Sequence, residues 1–364
     1  MKLRVDARFD LSASARAAWN LPSGMTGRVA ELSCQGYRVG RLRLVEYSPA
    51  PTARVRVHAG VGPPDNRTQL RAAVTGAAGV GKTRAEMRQA LDAGIGCFNV
   101  ESEAELDVLS AVAAAAGRTA PVSIRVNPNV DPKTHPYIST GLKGNKFGVA
   151  HERTLATYQR AAALPGLKVV GIDCHIGSQI TEETPYLDAM DRVLDLVEAV
   201  EAAGIPIHHI DFGGGLGIDY NGDTPPEADA LWARLFARLD ARGFGQRQFM
   251  IEPGRSLVGN AGVCVTEVLY LKPGELKNFC IIDAAMNDLP RPAMYQAFHA
   301  IVPVVLADGV AARYDVVGPV CESGDWIGRD RQLAVQPGNL LAVLSAGAYC
   351  MSMASNYNTR GRAA

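Results

Sequence analysis

Several things this 364-residue chain lacks narrow its possible roles. It has no excess of either charge, with lysine plus arginine and aspartate plus glutamate both at 37, so no net field draws it to nucleic acid or to an anionic membrane. A small-molecule ligand is the better expectation. It has no run of eighteen apolar residues, so no membrane-spanning helix is expected. The opening MKLRVDARFD carries no apolar signal core, and a cytoplasmic protein is expected. Its seven cysteines include no C-x-x-C pair, which argues against a disulfide framework and a zinc knuckle. No metal is expected.

The text is uneven along its length. Residues 1–75 hold eleven arginines against one lysine, scattered through short apolar pieces without a sustained period. This segment receives no fold assignment. Beyond Gly79, helical patterns at 84–93, 103–116, 152–163, 184–203 and 227–241 alternate with the strand patterns GCFNVES, PVSIRVNP, KVVGIDCHIG, HHIDFGGG and QFMIEPGRS. Such alternation predicts βα units and a parallel sheet. After Gly259 the helices fade and VCVTEVLYL, NFCIIDAA, ARYDVVGPV and LLAVLSAGAY read as strands. Three units follow: 1–75 of unclear structure, an α/β domain over 76–258, and a β-domain over 259–364.

Residues 76–83, GAAGVGKT, match the phosphate-binding pattern G-x-x-x-x-G-K-[ST] letter for letter. That pattern requires a buried strand before it and a helix after it. The helix is there, with Thr83 as N-cap and Gly94 as stop. The strand is missing, because DNRTQLRAAVT is polar and carries two arginines. A P-loop nucleotide binder is therefore a weak alternative to an ordinary strand-to-helix turn.

Polar residues collect at the carboxyl ends of the expected strands: Arg125 and Asn127, His175 and Ser178, Gly213 to Gly215, then Glu252 and Arg255. In a TIM (β/α)8-type barrel these ends converge on one mouth. Three glycines expose backbone N–H groups, and Ser178 and Arg255 add a hydroxyl and a guanidinium, which together suit a phosphate. A carboxylate for a protonated ring nitrogen, Glu252, and a flat imidazole, His175, point to a phosphorylated aromatic cofactor. Each signal alone has a bland reading, glycines placed for packing or a structural histidine.

In order along the chain, HIGSQ (175–179), DFGGGLGI (211–218), EPGRSLV (252–258), RPAMY (291–295), CESGD (321–325) and GAYCMSMASNYN (347–358) resemble the diaminopimelate decarboxylases, a branch of the alanine-racemase-type (fold III) pyridoxal-phosphate family. The resemblance runs from about residue 79 to the end. It implies a pyridoxal 5'-phosphate-binding barrel followed by a β-domain, and a homodimer with active sites at its interface. It further implies that His175 stacks on the cofactor ring, that Ser178, Gly213, Gly214, Gly215, Gly254 and Arg255 hold the phosphate, that Glu252 pairs with the ring nitrogen, and that Tyr349 lines the site. Catalysis would draw on His175 and on a proton from Cys321 of the partner subunit. Arg255, Arg291, Tyr295 and Tyr349 would take the distal carboxylate of meso-diaminopimelate and Glu322 its distal ammonium, which favours that substrate over ornithine or arginine and makes L-lysine the product.

One departure matters. Relatives carry the cofactor lysine on an early strand in a motif like Y-A-V-K-A-N, and nothing here matches it: Lys2 and Lys82 are the only lysines before Lys133. Lys82 belongs to the later G-V-G-K-T turn. The first barrel strands are therefore expected to be missing or altered, and the β-domain to be shortened after NTRGRAA. An inactive, degenerate pyridoxal-phosphate-binding homologue is the main alternative to an active decarboxylase.

Overall fold

The structure, a computed structural model, describes residues 3–10, 26–34, 42–48, 76–305 and 309–363. Most of the N-terminal segment lies outside these residues. What is described of it is a three-stranded antiparallel sheet of β1 (Leu3–Asp10), β2 (Thr26–Cys34) and β3 (Leu42–Ser48), in that order. The sequence reading assigned nothing here. Neighbouring strands of a meander pair locally and do not need the apolar runs that mark a central parallel strand.

The parallel sheet follows. Its strands are β4 (Gly76–Ala77), β5 (Cys97–Val100), β6 (Ala120–Asn127), a short β7 (Val149–Ala150) paired to β6, β8 (Leu167–Asp173), β9 (His209–Asp211) and β10 (Gln248–Met250). The spatial order β4-β5-β6-β8-β9-β10 repeats the chain order, the singly wound arrangement of a barrel wall. Among the described residues β4 and β10 are not paired to each other, and no strand of the N-terminal sheet joins this one.

Among the described residues five helices follow the strands of the wall: α1 (Arg84–Asp92), α2 (Glu103–Ala115), α3 (Thr154–Ala163), α4 (Thr184–Ala202) and α5 (Ala228–Ala241). Their starts were legible because caps are local chemistry. The Thr83 hydroxyl accepts from the Glu86 N–H, and the Glu86 carboxylate accepts from the Thr83 N–H at 2.8 Å, a capping box that begins α1. The longest helix, α4, buries Tyr186, Met190, Val193, Leu194 and Val197 at helical spacing against the strands. Each such side chain contributes about 1.5–3 kcal/mol of burial. Truncating Leu194 to alanine would leave a cavity costing about 2–5 kcal/mol.

The predicted strands were drawn too long at their carboxyl ends. HHIDFGGG is a strand only through Asp211 and QFMIEPGRS only through Met250. The residues beyond them turn inward as loops, and those loops build the site.

A second sheet, with its own core around Val268, Cys280, Val316 and Leu341, has the order β13-β16-β11-β12-β14-β15. It comprises β11 (Cys264–Lys272), β12 (Asn278–Ile282), β13 (Ile301–Pro303), β14 (Ala312–Val317), β15 (Trp326–Leu333) and β16 (Leu340–Val343). Its pairs are antiparallel except β12 with β14. The sequence reading missed β15, because WIGRDRQL keeps only Ile327, Gly328 and Leu333 inside and shows charge elsewhere. Two short helices among the described residues, α6 (Arg255–Val258) and α7 (Arg291–Tyr295), follow β10 and β12 in the chain. Among the described residues no helix is long and apolar enough to cross a membrane.

Candidate active site

Beyond the last paired residues of β8, β9 and β10, backbone bonds keep the three loops together. The Cys174 N–H donates to the Asp211 carbonyl at 2.9 Å, that of Phe212 to Met250 at 3.0 Å, and that of Glu252 to Gly213 at 2.7 Å. These bonds set His175, Gly213 to Gly215 and Glu252 side by side. The Gly214 N–H donates to Nδ1 of half-buried His175 at 3.1 Å, so a neutral His175 ring carries its proton on Nε2.

The three glycines are required by close approach. A Cβ on Gly214 would lie 2.1 Å from the Glu252 carbonyl oxygen, and one on Gly215, whose φ is +99°, would lie 2.2 Å from that of Gly177. The packing explanation for DFGGGLG is thus correct in itself. It also keeps a stretch of backbone bare of side chains beside Ser178 and Arg255.

Arg255 is 5% exposed. One of its terminal nitrogens donates to Ser178 Oγ at 2.9 Å and the other to the Tyr220 hydroxyl at 2.7 Å, while buried Nε has no partner among the described residues. Its guanidinium lies 4.8 Å from the centre of the Tyr349 ring. Tyr349 holds a left-handed φ of 61°, a strained conformation in a bulky residue.

A cleft of about 400 Å³ opens beside Arg255, lined in part by His135, Gln179, Tyr220, Arg291 and Tyr295. Arg291, also 5% exposed, donates to His299 Nε2 at 2.7 Å and lies 4.4 Å from the centre of the Tyr220 ring. Neither arginine takes part in an ion pair among the described residues. Burial pulls the Arg291 guanidinium down to about 10, with neighbouring Arg255 acting in the same direction, so it keeps its charge at neutral pH. Two buried cations open onto one cleft and call for an anion there.

On the sheet side the sign reverses. Asp173 and Asp211 end β8 and β9, each 2% exposed, with Glu101 and Arg125 close by. Arg125 pairs with Glu101 at 3.0 Å. One Asp173 oxygen is buried without a partner among the described residues. Burial, reinforced by the charge of Glu252, pushes Asp211 up to about 8. Burial together with Asp211 and Glu252 raises Asp173 well above the carboxylate range.

The structure therefore gathers His175, Ser178, Gly213, Gly214, Gly215, Glu252, Gly254, Arg255, Arg291, Tyr295 and Tyr349 around the sheet end and its cleft. It does not gather Cys321 and Glu322. Both lie on an exposed loop between β14 and β15, where the Glu322 carboxylate accepts from the Tyr357 hydroxyl at 2.5 Å. Lys82 is committed elsewhere. Its ammonium donates to the carbonyls of Gly79 and Asn99, each at 2.7 Å, and pairs with Glu105 at 2.7 Å, in a side chain only 6% exposed. It pins the β4–α1 turn to β5 and its charge is already neutralised, which removes the phosphate-gripping lysine of the nucleotide alternative.

Sequence reasoning missed Asp173, Asp211, Tyr220 and His299. The two aspartates stood inside apolar strand text, where a buried carboxylate at a strand's last residue is the available signal. Tyr220 and His299 carried no local signal, since each acquires its role from partners distant in the chain.

For pyridoxal phosphate held without a covalent bond, the donor set fits. Ser178, the free Nε of Arg255 and the bare backbone suit a phosphate, and a Cβ on Gly254 would meet nothing, leaving open space there. Glu252 suits a protonated ring nitrogen. Among the described residues no lysine is placed for a covalent link.

Comparison with known proteins bears on the chain as a whole. The family described as "Pyridoxal-dependent decarboxylase, pyridoxal binding domain" matches residues 69–259. The chain is 56% identical over 286 residues to the diaminopimelate decarboxylase of Pseudomonas aeruginosa, covering 79% of this chain and 68% of that one. It is 53% identical over 293 residues to that of Neisseria meningitidis serogroup B, covering 80% and 70%. The crystal structure of the Helicobacter pylori diaminopimelate decarboxylase complexed with L-lysine superposes with a TM-score of 0.73 at 41% identity, over 78% of this chain and 71% of that one. With over half of its length inside the family match and relatives this similar across most of both chains, the chain belongs to the pyridoxal-dependent decarboxylases.

Proposed function

We propose that this site binds pyridoxal 5'-phosphate and removes CO2 from meso-diaminopimelate to leave L-lysine. The observation that carries the reading is the pair of buried guanidinium groups, Arg255 and Arg291, neither of them in an ion pair among the described residues, opening onto one cleft beside the cofactor cradle. A substrate with a second carboxylate at its far end supplies the missing anion, and ornithine or lysine does not. The relatives' names and the lysine bound to the Helicobacter pylori structure support the same choice.

In this reading Ser178, the backbone of Gly213 to Gly215 and of Gly254, and Arg255 hold the phosphate. His175 lies against the ring face and Glu252 holds a proton on the ring nitrogen. The cofactor, when bound, supplies an electron sink for the carbanion left by departing CO2. Arg291, Tyr295, Tyr349 and Arg255 orient the distal carboxylate. Cys321 of the partner subunit delivers the replacing proton and Glu322 of the partner subunit takes the distal ammonium. The exposure of that loop supports a shared site, since such groups must be free to enter a neighbour, and a cytoplasmic homodimer is the assembly we assign.

The contacts of Lys82 favour a second reading, a homologue that binds cofactor and substrate without turnover. One experiment separates them. Chain purified with pyridoxal phosphate is given meso-diaminopimelate, L-lysine is quantified, and the absorbance near about 420 nm that marks cofactor joined to a lysine is followed. Lysine production supports the decarboxylase. Diaminopimelate binding with no lysine formed and no such band supports the silent binder, and a borohydride-stable adduct mapped to Lys82 would overturn its structural assignment. Absence of binding sinks both.

A further inference from the structure

We infer that His299 is the positioning residue that aims Arg291 at the distal carboxylate, and that its being a neutral acceptor is what lets the cleft read that carboxylate. The inference rests on the substrate reading above.

His299 is fully buried, and each of its ring nitrogens has one partner. Nδ1 lies 2.9 Å from the Leu344 carbonyl oxygen, which can only accept, so Nδ1 carries the proton. In the neutral ring Nε2 is then a lone pair, and it accepts from Arg291 at 2.7 Å. The backbone next to β16 thereby fixes the tautomer that holds the guanidinium. Burial, with Arg291 and Arg255 nearby, lowers the ring to about 4, so the acceptor persists through the neutral range.

Tyr220 completes the frame. Its ring meets His299 edge to face at 5.2 Å and lies under Arg291, while its hydroxyl accepts from Arg255. Both guanidinium groups are thus fixed in direction by uncharged partners. Arg291 has five N–H donors, of which His299 engages one among the described residues, and the rest of the fork is left for a ligand. A buried aspartate or glutamate could hold the same guanidinium, but it would neutralise it and remove the attraction for an incoming carboxylate. A neutral imidazole orients the cation and leaves its charge intact. This accounts for a fully buried histidine where a structural ion pair would be the commoner partner for a buried arginine.

The test compares His299→Gln, whose amide oxygen can accept from Arg291 without charge, with His299→Glu, which has nearly the same shape and carries a charge. His299→Leu removes the acceptor altogether. Each variant, checked by thermal melting, is titrated calorimetrically with meso-diaminopimelate and with L-lysine in the presence of pyridoxal phosphate. The readout is the ratio of the two affinities. In His299→Gln the preference for diaminopimelate stays within about threefold of the parent, whereas His299→Glu and His299→Leu lose about tenfold or more, with lysine binding unchanged. A merely structural role would lower both ligands together in all three. Parallel losses, or an unchanged ratio in His299→Glu, overturn the inference while leaving the substrate reading standing. A parent chain that binds the two ligands alike overturns both. Should His299→Leu fail to fold, the Gln and Glu pair still decides.

Discussion

Asp173, Asp211 and Glu252 crowd negative groups at the end of the parallel sheet, and three residues past Glu252 the chain turns to Arg255 and places a second arginine, Arg291, at the same cleft. The two aspartates and the two arginines are buried, yet they respond to burial differently. A carboxylate escapes the cost of desolvation by taking up a proton, and Asp211, pushed up to about 8, does so at neutral pH. An arginine has no such escape: even drawn down to about 10, Arg291 remains a cation. Acid clustering therefore raises Asp173 and Asp211 toward their neutral, hydrogen-bonding form under the sheet end, whereas arginine clustering leaves a standing charge for a ligand to balance. In the proposed function, the positive region is the one that reads the distal carboxylate.

Removing a standing charge is expected to have the largest effect. Arg291→Ala should weaken diaminopimelate binding by about 2–4 kcal/mol, because the distal carboxylate loses its charged partner in a desolvated site. L-lysine binding should change little. Calorimetric titration reads both, and an unaltered diaminopimelate affinity would take Arg291 out of the recognition site.

A smaller effect is expected from the acidic cluster. The folded-state pKa of Asp211 lies above its ordinary 3.8, so the folded chain binds the extra proton and stability falls as pH rises from about 4 to about 8. His209 and His299, each lowered by burial to about 4 from 6.5, act oppositely, but only up to about pH 6.5. Between pH 6.5 and 8 one such acid removes up to about 2 kcal/mol. Asp211→Asn keeps an oxygen for the Gly213 N–H, now 2.9 Å from the carboxylate, and should flatten that slope. Urea melts across this window measure it, and a slope identical to that of the parent would place the proton elsewhere.

The smallest change separates the cleft from the turn that mimics a nucleotide site. Thr83→Ala removes one side of the capping box and should cost about 1 kcal/mol of stability, with no change in cofactor or diaminopimelate affinity. Loss of ligand binding in this variant would show that the GVGKT turn belongs to the site after all.

The elements that the sequence revealed are those whose causes are local. Thr83 and Glu86 announce α1, the buried run of β6 announces a central strand, and Tyr186, Met190, Val193 and Val197 repeat at the helical period in α4. The glycine triplet and the Glu252 to Arg255 segment also stood out, since three consecutive glycines and charged groups directly after an apolar strand differ from the strand text around them, although packing alone accounts for the glycines. β15 escaped because a half-exposed strand rich in arginine and aspartate shows little alternation, and the strand ends were overrun because apolar text continues into loops that are themselves buried.

By itself the sequence determined the alternation of strands and helices in the parallel-sheet region, the glycines at the loop ends and part of the chemical inventory of the site, because propensity, capping and periodicity act over a few residues. Only the tertiary structure decided that Lys82 is locked to Glu105, 23 positions on in the numbering, that Asp173 and Asp211 share one buried space, and that Tyr220, Arg291 and His299 form a single frame. Those facts depend on which side chains meet after the strands pair and on how much water the meeting excludes. Charge state and hydrogen-bond direction follow from that exclusion, and no short stretch of sequence records it.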